Sequence, residues 1–214
     1  MRQSFSHHKS SDWAILLQSQ RNNYHIHLTL LTKTYGMQKN YISLSTHVNP
    51  WQSLKPASLI HAFLHMRGNG SVQIGDIIES HPFLYIQHDL SRFSRFAFWS
   101  ESLILSMNSG NDIHAFLLIY SFIQWLNIES IPPTHLDSLF LYYFLLINGS
   151  LPENLRTLPS MAYLKSISIH ELQQYLCTIA DDNSLYRHLL QLYQAYMPVI
   201  PKSFQQVKAY DVFI

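Results

Sequence analysis

Apolar and polar residues alternate along much of the chain between Trp13 and Ile78. A two-residue period is typical of β-strands with one buried face. Five segments show it: 13–19, 25–32, 37–43, 57–66 and 71–78. Glycines stand where the chain must reverse, at Gly36 and in the segment Arg67-Gly-Asn-Gly70. The pattern predicts a small antiparallel barrel of the OB type, a fold whose open face often binds single-stranded nucleic acid.

After Ser80 the hydrophobic period lengthens to that of α-helices. Residues 83–86 are predicted to be a last extended piece, and 151–165 a loop. Helices are predicted from Asp89 or Ser91 to Met107, from Asp112 to the Ile131-Pro-Pro133 stop, from Thr134 to Asn148, from 168 to 179 and from 182 to 197. The Thr134 helix is apolar almost all round, so it should lie in the core, with Thr134 and Asp137 as its cap. The prediction is an α+β protein: an OB-type domain at 1–80 and an all-helical domain at 81–214.

Composition narrows the class of protein. The 214 residues are 47% hydrophobic but only 13% charged, with a formal net charge of +1, so no strong overall field draws the protein to nucleic acid. The distribution is uneven: residues 1–80 carry seven Lys or Arg and three acids, whereas the remainder carries seven and ten. The basic excess therefore belongs to the predicted barrel.

A single cysteine, Cys177, excludes an internal disulfide framework and any cysteine-rich zinc site. Its apolar neighbours predict a buried position on a helix. The N-terminal residues lack the apolar core of a signal peptide, and the apolar runs are too short to span a bilayer. We expect a cytoplasmic protein in a reducing compartment, with no membrane association.

Thirteen histidines invite a search for catalytic or metal sites. The pairs His25/His27 and His61/His65 each share a strand face, but neither comes with a third ligand at a recognisable spacing, and the terminal His7-His8 has no supporting ligand. No HExxH, P-loop, GxGxxG or nucleophile-elbow motif occurs. The sequence predicts no enzyme activity, no catalytic residue, no metal and no cofactor.

With no catalytic motif present, a binding surface is the remaining candidate for a functional site. Basic residues fall on turns or strand ends of the predicted barrel: Arg21, Lys33, Lys39, Lys55 and Arg67. Tyr24, Tyr35, Tyr41 and Trp51 are interleaved with them. Cations neutralise phosphates and aromatic rings stack on bases, which is how single strands are held without sequence readout. The alternative is that the aromatics are core residues and the cations an ordinary solvated surface.

Several short motifs follow one another in order along the chain. They are Ala14-Ile-Leu-Leu-Gln-Ser19, Leu28-Thr-Leu-Leu-Thr32 with Gly36, Leu54-Lys-Pro-Ala57, two strands around Gly68-Asn-Gly70 ending at Ser80, Asp89-Leu90, Leu145-Leu-Ile-Asn-Gly149 and Lys202-Ser203. In this order and spacing the chain resembles the RecO family of bacterial DNA repair and recombination mediators over nearly its whole length. The resemblance implies an OB fold with a helical C-terminal domain. It also implies binding of single- and double-stranded DNA, strand annealing, contacts with RecR and with single-stranded-DNA-binding protein, and help in loading RecA.

The chain departs from the family pattern at three places. Residues 43–53 carry no cation where relatives have a basic loop, 151–165 lack the four-cysteine zinc module, and Asp137-Ser138 replaces a basic pair that helps relatives hold the acidic tail of the single-strand-binding protein. A carboxylate at Asp137 should repel that tail, so Arg92, Arg95 and Arg156 are the predicted substitutes for partner binding.

Three functions are open at this point. The first is a non-enzymatic RecO-type mediator, the second a RecO-derived protein-interaction scaffold with little DNA affinity, and the third a small-ligand enzyme using the barrel mouth. The first two fit the sequence better, because no catalytic motif supports the third.

Overall fold

The computed structural model describes residues 9–43, 54–66, 72–107, 113–180 and 182–211. The chain divides into two compact units. One comprises Met1–Phe83 with Met107–Phe116, and the other Leu84–Ser106 with Leu117–Ile214. The first contains a β-sheet and the second is built of helices, so the α+β class predicted from the sequence is confirmed.

Five antiparallel strands form the sheet of the first unit. They are β1 Lys9–Arg21, β2 His25–Thr32, β3 Gly36–Ser43, β4 Ser58–Met66 and β5 Val72–Pro82. Their order is β3-β2-β1-β4-β5. The long central strand β1 pairs with two neighbours. Its residues Lys9 to Leu16 pair with β4, and its residues Ala14 to Arg21 pair with β2. All five strands lie where the alternating pattern predicts them.

Strand ladders do not close this sheet. Within the described residues β3 pairs only with β2 and β5 only with β4, although β3 and β5 approach each other where the backbone N–H of Ile74 donates to Asn40 Oδ1 at 3.1 Å. One face encloses a small apolar core made by alternate residues of β1, β2 and β4. Its buried members are Ala14, Leu16, Ile26, Leu28, Leu30, Ile60 and Ala62.

The helices begin at residue 84. They are α1 Leu84–His88, α2 Leu90–Ser106, α3 Ile113–Leu126, α4 His135–Ile147, α5 Met161–Ser166, α6 Ile169–Ala180, α7 Asn183–Tyr196 and α8 Lys202–Asp211, with a 3₁₀ turn at Glu153–Leu155. As predicted, α4 lies in the core of the helical unit, and its residues 136–145 are all buried. The ring of Phe140 stacks on Trp99 at 5.1 Å and meets Phe122 edge-on at 5.5 Å.

Four local predictions were wrong. Of the predicted extended piece 83–86, residues 84–86 form the start of helix α1 instead of a strand. The predicted loop at 151–165 contains the 3₁₀ turn and the start of α5, where the Ser160 hydroxyl caps the helix by accepting from the Tyr163 N–H. Thr134 makes no side-chain cap, and Cys177 is exposed because it lies away from the buried stripe of α6.

Predicted helix ends are confirmed elsewhere. Gly149 adopts φ +68°, and the N–H groups of Gly149 and Ser150 donate to the carbonyls of Leu146 and Leu145, which is a Schellman stop for α4. Ser168 and Glu171 form a reciprocal capping box for α6. Among the helices of the described residues, none has the length and apolar character needed to cross a membrane.

The capping box gives a pH-dependent prediction. The backbone N–H and then the hydroxyl of Ser168 donate to Glu171 and lower the pKa of its carboxyl below the ordinary 4.5. A depressed carboxyl pKa stabilises the fold above the unfolded-state pKa, and this contribution is lost as the pH falls through the folded-state value. Glu171→Gln keeps the cap without the titration. We expect urea unfolding of the natural protein to lose stability between pH 5 and about pH 3 more steeply than the variant. Parallel pH profiles would contradict this.

Candidate nucleic-acid interface

Two cross-strand rows cover the outer side of β1, β2 and β3. Register places Gln20, His27 and Tyr41 in one row and Gln18, Thr29 and Lys39 in the next. A register shift in β1 between Leu16 and Gln18 places Gln18 and Gln20 on the opposite side of β1 from Ala14 and Leu16, so all six residues belong to the face opposite the apolar core. We call these six residues the β1–β2–β3 face. It carries amides, an imidazole, a phenol and a cation, and no carboxylate.

Tyr41 is the most accessible aromatic side chain of this face. It is 64% exposed, and Lys39 beside it on β3 is exposed as well. The Tyr41 ring meets the half-buried His27 ring edge-on, with centroids 4.6 Å apart and planes at 77°. A contact with His27 on one side and exposure on the other leave Tyr41 surface that can stack on a planar ligand.

The β1–β2 turn adds a second exposed aromatic residue. Asn22 Oδ1 accepts hydrogen bonds from the backbone N–H groups of Tyr24 at 2.9 Å and His25 at 2.7 Å, and this fixes the turn. Tyr24 is 73% exposed, and the exposed Arg21 ends β1 immediately before the turn. The turn therefore presents the exposed Tyr24 ring next to the row that contains His27, and Arg21 lies beside it at the end of β1.

Positive charge predominates in strands β1 to β3. Residues 9–43 include four cations, Lys9, Arg21, Lys33 and Lys39, and one acid, Asp12. Asp12 is buried and accepts hydrogen bonds from the backbone N–H groups of Trp13 and Thr34, at 2.9 and 2.8 Å. The accessible acids Asp76 and Glu79 lie on β5, which is last in the strand order but approaches β3 at Ile74 and Asn40. Strands β1 to β3 themselves carry a positive net charge, which favours an anionic ligand.

Among the described residues, Lys39 is the one of the five cations predicted to bind DNA that lies on the β1–β2–β3 face. Arg21 ends β1 opposite Ile26, a member of the apolar core, so it belongs to the other side of the sheet. Lys33 lies in the turn between β2 and β3, at the opposite end of β2 from Arg21, and the exposed Lys55 precedes β4. Arg67 lies outside the described residues, as does Trp51.

The prediction that Arg92 offers an accessible cation to a partner is wrong. Arg92 is only 6% exposed because its guanidinium is used inside the helical unit. Its Nη1 donates to the carbonyls of Leu126 and Ile128, the latter at 3.0 Å, and its Nη2 to those of Glu129 and Ile131 at 3.0 and 3.1 Å. This side chain fastens α2 to the end of α3 and the loop that follows.

Arg95 is fully buried and cannot serve an external peptide either. Its Nε donates to Asp137 Oδ2 at 2.9 Å, so the carboxylate that the sequence suggested would repel an acidic peptide is instead an interior counterion. Of the three predicted partner-binding cations, only Arg156 is exposed; its Nε and Nη2 lie 3.4 Å from the Leu151 carbonyl oxygen.

A second cluster lies across β1, β4 and β5, and the sequence pattern did not reveal it. The Trp13 ring stacks on His61 at 4.7 Å and on His81 at 5.9 Å. Glu79 lies 3.5 Å from His61 Nδ1 and 3.3 Å from His81 Nε2. Cross-strand register could have predicted His61 beside Glu79, but only after the strand pairing was known. In the described part of the chain, no group of three or more His, Cys, Asp or Glu residues could hold a metal ion.

No model of a known protein family matches this chain, and no curated protein matches its sequence. The resemblance to RecO therefore rests on the order of the sequence motifs alone.

The buried ion pair gives a stability prediction. Arg95→Met should lower the free energy of unfolding by about 3 to 5 kcal/mol, because it removes the positive partner of a carboxylate in the interior. Adding Asp137→Leu should recover most of the loss, since two apolar side chains then replace two charges. Arg187→Met on the exposed side of α7 is the control, expected within about 0.5 kcal/mol of the natural protein. A loss below about 1 kcal/mol for Arg95→Met in urea unfolding would contradict the assigned role.

Proposed function

We propose that the protein is a cytoplasmic, non-enzymatic recombination mediator of the RecO type, and that its sheet is an OB-type barrel that binds single-stranded DNA. An OB fold is a five-stranded, partly open barrel whose second and third strands carry the binding face. The observed sheet has five antiparallel strands, a β3–β5 approach at Asn40 and Ile74, and a polar, aromatic face on β2 and β3. These features support the proposal together with the order of the sequence motifs.

The observation that carries the proposal is the pairing of Tyr41 with Lys39. They are neighbours on one side of β3, and both are exposed. An exposed ring accepts a base by stacking whatever its identity, and an adjacent ammonium attracts the backbone phosphate. The amides of Gln18 and Gln20 on the same face add hydrogen-bonding groups without adding negative charge. Stacking needs an unstacked base, so this face suits a single strand better than a duplex.

The partner proteins remain part of the proposal through the RecO resemblance. RecR, the single-strand-binding protein and, indirectly, RecA are the expected partners. With Arg92 and Arg95 buried, Arg156 is the remaining predicted cation for an acidic peptide.

A second candidate function is a protein-interaction scaffold with little DNA affinity. The observation in its favour is that three large apolar side chains are exposed at α1 and the start of α2: Leu84, Tyr85 and Leu90. A cavity of about 440 Å³ lies there, lined by Leu84, Tyr85, His88 and Asp89. Exposed apolar clusters are a common mark of protein interaction sites. Absence of DNA binding by the natural protein would favour this candidate over the first.

The aromatic contact provides the main test. Tyr41→Ala should weaken binding of a fluorescently labelled single-stranded oligonucleotide by at least about fivefold, because base–aromatic stacking contributes about 1 kcal/mol or more. The matched control is Tyr163→Ala on α5, another exposed tyrosine, in the helical unit, which should bind as the natural protein does. Fluorescence anisotropy measures both, with a duplex of the same sequence for comparison. Equal affinity of the two variants would remove Tyr41 from the site.

The salt dependence is a separate prediction. Each phosphate contact contributes about 0.7 to the slope of log affinity against log salt on single strands. With one contact, from Lys39, up to the full set of five predicted cations, the slope should be about 0.7 to 3.5 in magnitude. Lys39→Glu should flatten the slope and weaken binding, whereas Lys202→Glu on α8 should change neither. A slope steeper than about 5 would mean that the protein uses a larger basic surface than this one.

A further inference from the structure

The β1–β2 turn settles the orientation of one side-chain amide. Asn22 Oδ1 accepts from two backbone N–H groups, those of Tyr24 and His25, so the oxygen is committed to the turn. The amide nitrogen must then be the atom that lies 3.2 Å from His27 Nε2. If the amide oxygen and nitrogen of Asn22 were exchanged, its NH₂ group would face the backbone N–H groups of Tyr24 and His25, and two donors cannot form a hydrogen bond with each other.

This orientation determines where His27 carries its proton. An amide nitrogen is only a donor, so His27 Nε2 has to accept the hydrogen bond and must be unprotonated. The neutral imidazole then carries its hydrogen on Nδ1. A proton on Nε2 would face the Asn22 N–H₂ group and break the contact.

The same imidazole holds Tyr41. His27 and Tyr41 are cross-strand partners, and their rings meet edge-on at 4.6 Å. Aromatic pairs in this geometry contribute beyond their buried area, and they restrict the orientation of both rings. The contacts therefore run from the turn through Asn22 and His27 to the exposed ring on β3.

We propose that His27 is a positioning residue, fixed as the neutral Nδ1–H tautomer by Asn22, that holds the Tyr41 ring in the orientation in which it stacks on a base. The inference rests on the proposed binding of single-stranded DNA to the β1–β2–β3 face. It adds a residue that the sequence analysis assigned to no role in binding, and it makes the β1–β2 turn part of the site.

The tautomer is measured without DNA. In a long-range ¹H–¹⁵N spectrum of the whole protein at pH 7, His27 should show a protonated Nδ1 and an unprotonated Nε2. Asn22→Asp keeps an oxygen for the Tyr24 and His25 N–H groups, because aspartate forms the same turn, but it places a second oxygen opposite Nε2. In that variant Nε2 should become protonated. Finding Nε2–H in the natural protein would overturn the role of Asn22.

The coupling to Tyr41 is measured with DNA. His27→Ala should weaken binding of the labelled single strand about as much as Tyr41→Ala does, and the double variant should lose no more than Tyr41→Ala alone, since His27 acts through that ring. His188→Ala on the exposed side of α7 is the control and should bind normally. Losses that multiply in the double variant, or full affinity in His27→Ala, would overturn the positioning role while leaving DNA binding intact. No binding by the natural protein would overturn the proposed function, and the stacking role of Tyr41 with it.

Discussion

Two buried guanidinium groups on α2 organise the helical unit. Burying a charge is costly unless hydrogen bonds and opposite charge compensate it. Arg92 meets this condition with carbonyl oxygens at and beyond the end of α3, where the helix leaves carbonyls without intrahelical donors and the helix dipole is negative. Arg95 meets it with Asp137 on α4. Both arginines reach partners more than thirty residues away in sequence, so they fix α3 and α4 against α2 in one arrangement.

The aromatic core packs between α2, α3 and α4, the helices that these buried charged groups connect. Phe140 lies one turn beyond Asp137 on α4 and contacts Trp99 from α2 and Phe122 from α3. Closing contacts come from α7 and α8. Ser102 on α2 and Tyr193 on α7 share a hydrogen bond of 2.7 Å, and Glu101 accepts from the backbone N–H and hydroxyl of Ser203 at 3.1 and 2.9 Å. Directional polar bonds thus determine which helices pack against α2, and burial of apolar side chains supplies most of the stabilisation of the helical unit.

Sequence patterns predicted what depends on local periodicity and missed what depends on distant partners. Strand alternation located all five strands, and Gly149 marked the end of α4, because both signals act over a few residues. The Thr134-x-x-Asp137 spacing is that of a helix cap, but the Asp137 carboxylate instead accepts a hydrogen bond in the interior from Arg95, 42 residues away in sequence. The burial of Arg92 and Arg95 could not be predicted from the sequence, because arginines are rarely buried and the carbonyl and carboxylate groups that accept their hydrogen bonds become known only from the fold. The β1–β2–β3 face is an intermediate case. Strand alternation is enough to place Tyr41 and Lys39 on one side of β3, but the contact from Asn22 to His27 becomes known only from the three-dimensional structure.

The exposure of Lys39 and the exposure of Tyr41 on β3 have different explanations. β3 is an edge of the sheet as it is paired among the described residues, and a lysine on an edge strand has a structural use, because its charge opposes pairing with another chain. Lys39 alone would therefore say little about function. Tyr41 works against that protection, since a large exposed aromatic side chain adds apolar surface to the same edge. Yet the fold holds this ring in place through His27 and the hydrogen-bonded β1–β2 turn instead of burying it. A ring held at the surface beside a cation is what a stacking ligand with a charged backbone requires, and this favours the proposed binding face over an ordinary solvated edge.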